Sequence, residues 1–328
     1  MHDSDVRNLV YQTLAAFGHD AAIPFFEKTW PQARGVRGVE FYGMLFPTVY
    51  RTAARNFFQF HKRLPDANAL PLAADHLFFS KFFRPFPTKP NAASKLNAVK
   101  FLDQNRFAKK IYVPRRLFVS SVPALPDDLS SVSGWWLKLD LGNATHVKID
   151  PESGTLNHKM LGERVKHWFK SPRYGLRWGE WWYAATPQRI FCEEDLTGRM
   201  PGDEYQFFMK SGRCVMFKKK RIFYSSNLEH QKIVAAFYDG AGNHVPGTQS
   251  SFSAPEDVSL SEHLDVMLEA AHQIAAAFDH IRVDFILLDD APALGELTYC
   301  TMNARIVYSN EVLENLARDA VRMDTPKL

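Results

Sequence analysis

The sequence predicts an α+β protein, with an aromatic-rich helical first part followed by a longer stretch in which strand-like and helix-like segments alternate. Up to about residue 90 the apolar residues, many of them Phe, recur at helical spacing. Pro85, Pro87 and Pro90 then interrupt regular structure and mark a boundary. Beyond about residue 95, short apolar runs bounded by turn residues alternate with amphipathic segments.

In order, Ser4 or Asp5 is placed to cap a helix carrying Val6, Leu9, Val10, Leu14 and Phe17, with Gly18 to stop it. A second helical stretch holds Phe41, Leu45, Val49, Tyr50, Phe57, Phe58 and Phe60. A third, over 77–86, adds Phe78, Phe79, Phe82 and Phe83. These aromatics read as core and domain contact, because the segment cannot bury them without packing on the rest of the chain. Tyr112-Val113, 135–139 and 146–149 read as strands, the last two joined by a tight Gly142-Asn143 turn. Leu161, Val165, Trp168 and Phe169 sit at helical spacing, and 189–192 is another short strand. Strands over 205–209 and 213–217 flank a Ser211-Gly212 hairpin turn. From Leu260 to Phe278 the 3.6-residue period is the clearest in the chain, with Ser259 or Ser261 as cap. Strands over 281–288 and 294–299 follow, joined at Asp289-Asp290-Ala291-Pro292.

Composition bounds the function. At 328 residues the chain can build two or three packed units, and 46% hydrophobic with 23% charged residues is ordinary for a globular protein. A formal charge of +4 permits a local anionic ligand without calling for nucleic acid. Cys192, Cys214 and Cys300 are scattered, which argues against a disulfide framework or structural zinc and fits a reducing, cytoplasmic setting. The polar N-terminus reads as no secretion signal, and no apolar run reaches the roughly 20 residues of a membrane helix.

Two groups of residues carry chemistry. Asp284 and Glu296 lie on adjacent strands and meet if both face one side; two such carboxylates need a cation between them, and magnesium suits them. The alternative is that one of them pairs with Arg282 or faces solvent. Lys138, in the middle of an apolar strand, either snorkels from a sheet edge or points into a cleft where an anion neutralises it. The following loop, 141–146, offers backbone N–H groups to a phosphate, although it matches neither a Walker A loop nor a dinucleotide fingerprint. Glu193-Glu194-Asp195 fits a ribose or adenine contact or a solvated turn, and Lys218-Lys219-Lys220-Arg221 reads as a solvated strand end.

Taken in order, these segments resemble the TupA-like branch of the ATP-grasp proteins, a branch associated with bacterial polysaccharide and teichuronopeptide synthesis. The resemblance runs from about Asn105 to about Leu316. It rests on Arg106-Phe107-Ala108-Lys109-Lys110-Ile111-Tyr112-Val113, on Trp136-Leu137-Lys138 with Gly142-Asn143, and on Glu180-Trp181-Trp182-Tyr183 with Arg189-Ile190-Phe191-Cys192-Glu193. Asp203-Glu204-Tyr205-Gln206-Phe207 adds to it, and its most specific part is Ile281-Arg282-Val283-Asp284-Phe285 with Gly295-Glu296-Leu297-Thr298.

The resemblance implies an ATP-grasp fold, two α+β lobes clamping ATP between antiparallel sheets, and three parts: 1–94 helical, 95–195 with the lysine strand and glycine loop, and 196–328 with the carboxylates. It implies ATP contacts from Arg106, Lys138, Gly142, Asn143, Thr145 and Glu193 or Glu194. Asp284 and Glu296 would hold Mg2+, with Thr298 or Asn303 completing the shell, and Arg282 would stabilise a developing oxyanion. Three positions depart from the family pattern: Arg106 and Gln206 stand where lysines are expected, and Thr298 where an asparagine is expected. The implied activity is an ATP-dependent carboxylate–amine ligase acting on a small-molecule or saccharide acceptor. An ATP-grasp kinase and a silent nucleotide-binding scaffold are the alternatives, and a homodimer is the base-rate expectation for its assembly.

Overall fold

The computed structural model describes residues 4–5, 46–83, 92–107, 109–141, 145–150, 157–170, 178–180, 182, 187–199, 203–224, 231–250, 252–289 and 291–323. The first expected helix, the proline-marked boundary and the Gly142-Asn143 turn lie outside these residues.

Helices α1 (Phe46–His61) and α2 (Ala73–Phe83) form the described part of the aromatic region. Helix α2 is buried on nearly every side, as a helix apolar all round must be. Its Phe78 and Phe82 meet Tyr50 of α1 with ring centroids 5.4 and 4.9 Å apart, and Phe57 meets Phe78 at 5.4 Å. Asp75 accepts both arms of Arg63 at 2.8 and 2.7 Å and the N–H of Leu72 at 3.2 Å, which pins the start of α2. The expected packing of these aromatics on the rest of the chain is present: they belong to the same core as Phe207, Phe217, Phe285 and Leu313.

Two antiparallel sheets follow, so the α+β expectation holds. The first has strand order β1-β4-β2-β3, from β1 (Arg116–Ser120), β2 (Trp136–Leu139), β3 (His146–Lys148) and β4 (Ile190–Glu193). Short α3 (Lys95–Ala98) and α4 (Gln104–Phe107) precede it, and α5 (His158–Lys170) covers one face. Leu137, Ile190 and Cys192 pack there with Leu161 and Val165. Strand alternation therefore sends Trp136 and Lys138 to the opposite face.

The second sheet has strand order β10-β9-β5-β6-β7-β8. Its strands are β5 (Asp203–Lys210), β6 (Arg213–Tyr224), β7 (Gln231–Asp239), β8 (His244–Val245), β9 (His280–Leu287) and β10 (Pro292–Thr298). Ser211 and Gly212 take positive φ, 48° and 76°, as a tight hairpin between β5 and β6 requires. Helix α6 (Leu264–Ala275) and helix α7 (Glu311–Val321) complete the described fold. The helix expected over 260–278 is shorter than its periodicity suggested: its N-cap residue is His263, and Ser261 stands two residues earlier, its Oγ accepting the His263 N–H at 3.1 Å. The Ser261 N–H is held by the Tyr205 hydroxyl at 2.9 Å and the Val258 carbonyl by the Tyr238 hydroxyl at 2.6 Å, so the lead-in is bound to the sheet.

The sheets meet at the segment around Tyr112. Its N–H donates to Pro292 O at 2.8 Å and its carbonyl accepts from Leu294 N at 3.2 Å, beside a small cluster of Leu196, Leu288 and Ala293. Among the described residues no helix is long and apolar enough to cross a membrane.

Candidate active site

Strand β2 lies between β4 and β3, so Lys138 is not on a sheet edge. Register sets Trp136 opposite Glu193, and the Lys138 ammonium reaches across to the Glu193 carboxylate. Arg116 Nε donates to the other Glu193 oxygen at 2.9 Å. Burial works against ionisation of Glu193, but Lys138 and Arg116 outweigh it and hold the carboxyl below its ordinary value. Glu194 is bound by the Tyr112 hydroxyl, by Arg115 N at 2.7 Å and by Arg115 Nε at 2.8 Å. These acidic residues are thus ordered by their own chain and do not form a solvated turn.

On the second sheet, Asp284 and Glu296 do face one side. Arg282 grips Asp284 with two bonds, Nε to Oδ1 at 2.7 Å and Nη2 to Oδ2 at 2.6 Å. The same Nη2 reaches Glu296 Oε1 at 3.1 Å and Thr298 Oγ1 at 3.0 Å. A bulge between Leu294 and Leu297 brings Gly295 against Asp284, where an added Cβ would lie 3.1 Å from the Asp284 carbonyl. Gln206, expected to be missing a charge, donates Nε2 to Asp284 Oδ2 at 2.9 Å. Burial pushes the Asp284 carboxyl up to about 6 against the pull of Arg282. Glu296 stands at the rim, its side chain 48% exposed, and its Oε2 takes no bond from the described residues.

Lys95, the first residue of α3, feels both sheets. Its ammonium approaches Asp140 O at 3.3 Å. Burial holds its proton affinity below the ordinary 10.5, against the attraction of Glu296 on one sheet and of Asp140 and Glu193 on the other, with Lys138 repelling it. Sequence reasoning missed Lys95, because a four-residue helix leaves almost no periodic signal.

Beyond β10 the chain makes a left-handed turn, with φ of 50°, 57° and 65° at Met302, Asn303 and Ala304. Three such residues in succession are strained, and outside groups hold them: Lys81 Nζ donates to Asn303 O at 3.0 Å and His61 Nε2 bonds Ala304 O at 2.8 Å. With its amide nitrogen turned to Glu180, Asn303 donates to that buried carboxylate at 3.0 Å. Burial pushes Glu180 up to about 7, and Glu296 adds to the effect. Of the two candidates for the end of the metal shell, the structure therefore sets Thr298 beside Glu296 and Asn303 on Glu180.

The remaining expected residues divide. Arg106 of α4 pairs with Glu269 of α6 and lies over the Phe107 ring; none of its bonds runs to Lys138, Lys95 or Glu296. Gly142 and Asn143 lie outside the described residues. Thr145 ends that loop with a buried hydroxyl that has no partner among the described residues. The run from Lys218 is not a solvated strand end. Strand β6 extends to Tyr224 and is paired on both sides, so these residues are mid-strand. Lys219 and Arg221 turn to Asp203, Lys220 to Glu204, and Lys218 is buried against Gln249, Phe208 and Phe252.

Chemically, the second-sheet site holds the hard oxygens of Asp284, Glu296 and Thr298; both Asp284 oxygens accept from Arg282 or Gln206, and Glu296 keeps an oxygen without a bond from the described residues. That set fits magnesium, which keeps water and phosphate oxygens in its remaining positions. Among the described residues there is no group of three His, Cys, Asp or Glu side chains poised around a metal.

No family model matches the sequence, and no curated protein matches it. Among solved structures, the chain is similar to the ATP-grasp ligase PsnB complexed with a minimal precursor, at 14% identity and a TM-score of 0.37 over 70% of this chain and 61% of that one. It is similar to D-alanine–D-alanine ligase from Bacillus anthracis complexed with ATP, at 14% identity and a TM-score of 0.35 over 64% and 55% of the two chains. It is also similar to N5-carboxyaminoimidazole synthase from Aspergillus clavatus in complex with ADP and 5-aminoimidazole ribonucleotide, at 12% identity and a TM-score of 0.37 over 72% and 52%. The chain spans less than two thirds of each of these proteins, and at such scores the likenesses assign it neither substrate nor partner.

Proposed function

We propose that the protein is an ATP-grasp ligase of the TupA-like kind, which uses Mg-ATP to activate a carboxylate as an acyl phosphate for attack by an amine. The observation that carries this reading is the place of Lys95: its helix α3 packs against β10 of one sheet, and its ammonium reaches Asp140 O, just past β2 of the other, at 3.3 Å. In this reading the cations meet a polyphosphate and the carboxylates a metal in one shared site.

Lys138 and Lys95 then neutralise the phosphates, and Thr145 turns to them a buried hydroxyl that has no partner among the described residues. The Glu193–Glu194 segment, fixed by Arg116, Arg115 and Tyr112, borders the nucleoside. Asp284, Glu296 and Thr298 hold magnesium, and when bound the ion offsets the charge of the phosphate oxygens. Arg282, oriented by the two-bond grip of Asp284, places a fixed positive charge where negative charge develops on the activated carboxyl. Lys95 takes the part expected of Arg106. The resemblance favours an acid from polysaccharide or natural-product biosynthesis as substrate.

The test is trapping. The protein is incubated with Mg-ATP, hydroxylamine and a panel of sugar acids and amino acids, and hydroxamate and ADP are measured. A hydroxamate that disappears in Glu296→Gln supports the ligase reading. ADP with a phosphorylated hydroxyl and no hydroxamate would move it to a kinase, and ATP binding without turnover of any acid to a scaffold.

A further inference from the structure

His146 has no part in the function just described, yet its position gives it one. Register pairs it directly with Lys138 across β2 and β3. Directly opposed residues of an antiparallel pair share a face, so imidazole and ammonium lie on the same side of the sheet. The edge of Trp136 flanks the ring, at 5.3 Å between centroids and 71° between planes, and Trp136 is itself fixed by its Nε1 donating to Asp195 Oδ1 at 2.9 Å. The His146 ring nitrogens bond none of the described residues, and the residue lies at the exposed end of β3.

We propose that His146 is a third contact for the polyphosphate chain, beside Lys138 and Lys95, and that it takes up a proton when that chain binds. This rests on the nucleotide reading above and adds a residue and a pH dependence to it. The charged groups facing the ring are Lys138 from β2 and Lys95 from α3; Glu193 of β4 lies beyond them, held by Lys138 and Arg116. Burial, then Lys138 and then Lys95, lowers the proton affinity of His146 from its ordinary 6.5. In the free protein the ring is therefore mostly neutral near pH 7. An anion laid over the three groups reverses the field. The imidazole then gains a proton from solvent, and the second ring N–H becomes a donor to a phosphate oxygen. The step is a proton transfer alone: a ring N–H bond forms as an O–H bond of hydronium breaks.

The experiment uses the full chain with 15N-labelled histidine, titrated from about pH 5 to about pH 8. It is run free, with inorganic tripolyphosphate, and with Mg-ATP. The expected result is a rise of about one unit or more in the His146 midpoint with either ligand. His146→Gln, which keeps a hydrogen-bonding amide at an exposed position, should weaken tripolyphosphate binding several-fold more at about pH 6 than at about pH 8. Absence of tripolyphosphate binding, binding without movement of the midpoint, or equal affinities for His146→Gln and the parent at both pH values would overturn the proposal. The two readings fail separately. If tripolyphosphate moves His146 and Mg-ATP does not bind, the anion site stands and the nucleotide reading falls. If Mg-ATP binds and His146 does not move, only the inference about His146 falls.

Discussion

Two Asp–Arg pairs with a buried carboxylate, one at the end of the four-stranded sheet and one within the six-stranded sheet, are each joined by two hydrogen bonds and differ in what surrounds them. Asp140, whose side chain is fully buried, takes Arg189 Nη2 at 2.7 Å and Nε at 3.0 Å, the Ser94 hydroxyl at 2.8 Å and the Leu96 N–H at 3.0 Å. Every donor comes from the chain itself, and together they tie α3 to the four-stranded sheet. Asp284 is gripped as firmly by Arg282, but the same guanidinium extends to Glu296, which is half exposed and keeps an oxygen open. A closed network fixes architecture, whereas one that ends in an unspent carboxylate at a rim is able to receive a cation. The contrast separates charge spent within the chain from charge left open at a rim.

The largest expected effect tests whether architecture is as shared as the core suggests. A chain beginning at residue 95 loses Tyr50, Phe57, Phe78, Phe79 and Phe82 from a core continuous with the six-stranded sheet. It should be insoluble or lack a cooperative urea transition; a soluble, fully active product would separate the helical part from the rest. Next, Asp140→Ala should cost about 3 kcal/mol in urea unfolding, because it removes a fully buried carboxylate that holds Arg189, the Ser94 hydroxyl and the Leu96 N–H. A loss under about 1 kcal/mol would mean the closed network is not structural.

Lys218 sharpens the comparison from a third side, as a buried cation whose hydrogen bond goes to the neutral Gln249. Burial lowers its proton affinity well below the ordinary 10.5, with Arg282 and Lys220 adding to the effect. Between the lowered folded value and 10.5 the unfolded chain binds more protons than the folded one, so stability rises with pH across that window. Lys218→Met should remove that rise and add about 1 kcal/mol or more at neutral pH. An unchanged pH profile in urea unfolding would show that Lys218 is charged and compensated. The smallest stability effect belongs to the open end of the second network: Glu296→Gln should stay within about 0.5 kcal/mol of the parent in the same assay, as exposed positions do.

What was legible in the sequence follows the same division. Strands β9 and β10 were readable because Arg282 and Asp284 interrupt an apolar run and Glu296 follows a turn, a pattern in which charge stands out. Lys138 was readable for the same reason, and the alternation of β2 shows which face it takes. The role of Lys95 depends on a tertiary approach between a short helix and two sheets, which no local period encodes. Glu180 was visible only within a motif, since the left-handed turn that seats Asn303 on it draws on Lys81 and His61, more than 200 residues away. Lys218 was misread because a run of basic residues looks solvated until both edges of its strand are known to be paired.

The central claim is that the lysines of one sheet and the carboxylates of the other serve one ligand. Calorimetry of Mg-ATP binding to the parent, Lys138→Met and Glu296→Gln tests it most directly. The account predicts magnesium-dependent binding that each substitution weakens about tenfold or more, with the magnesium dependence lost in Glu296→Gln alone. Equal affinity in all three proteins, or no binding by the folded parent, would contradict it.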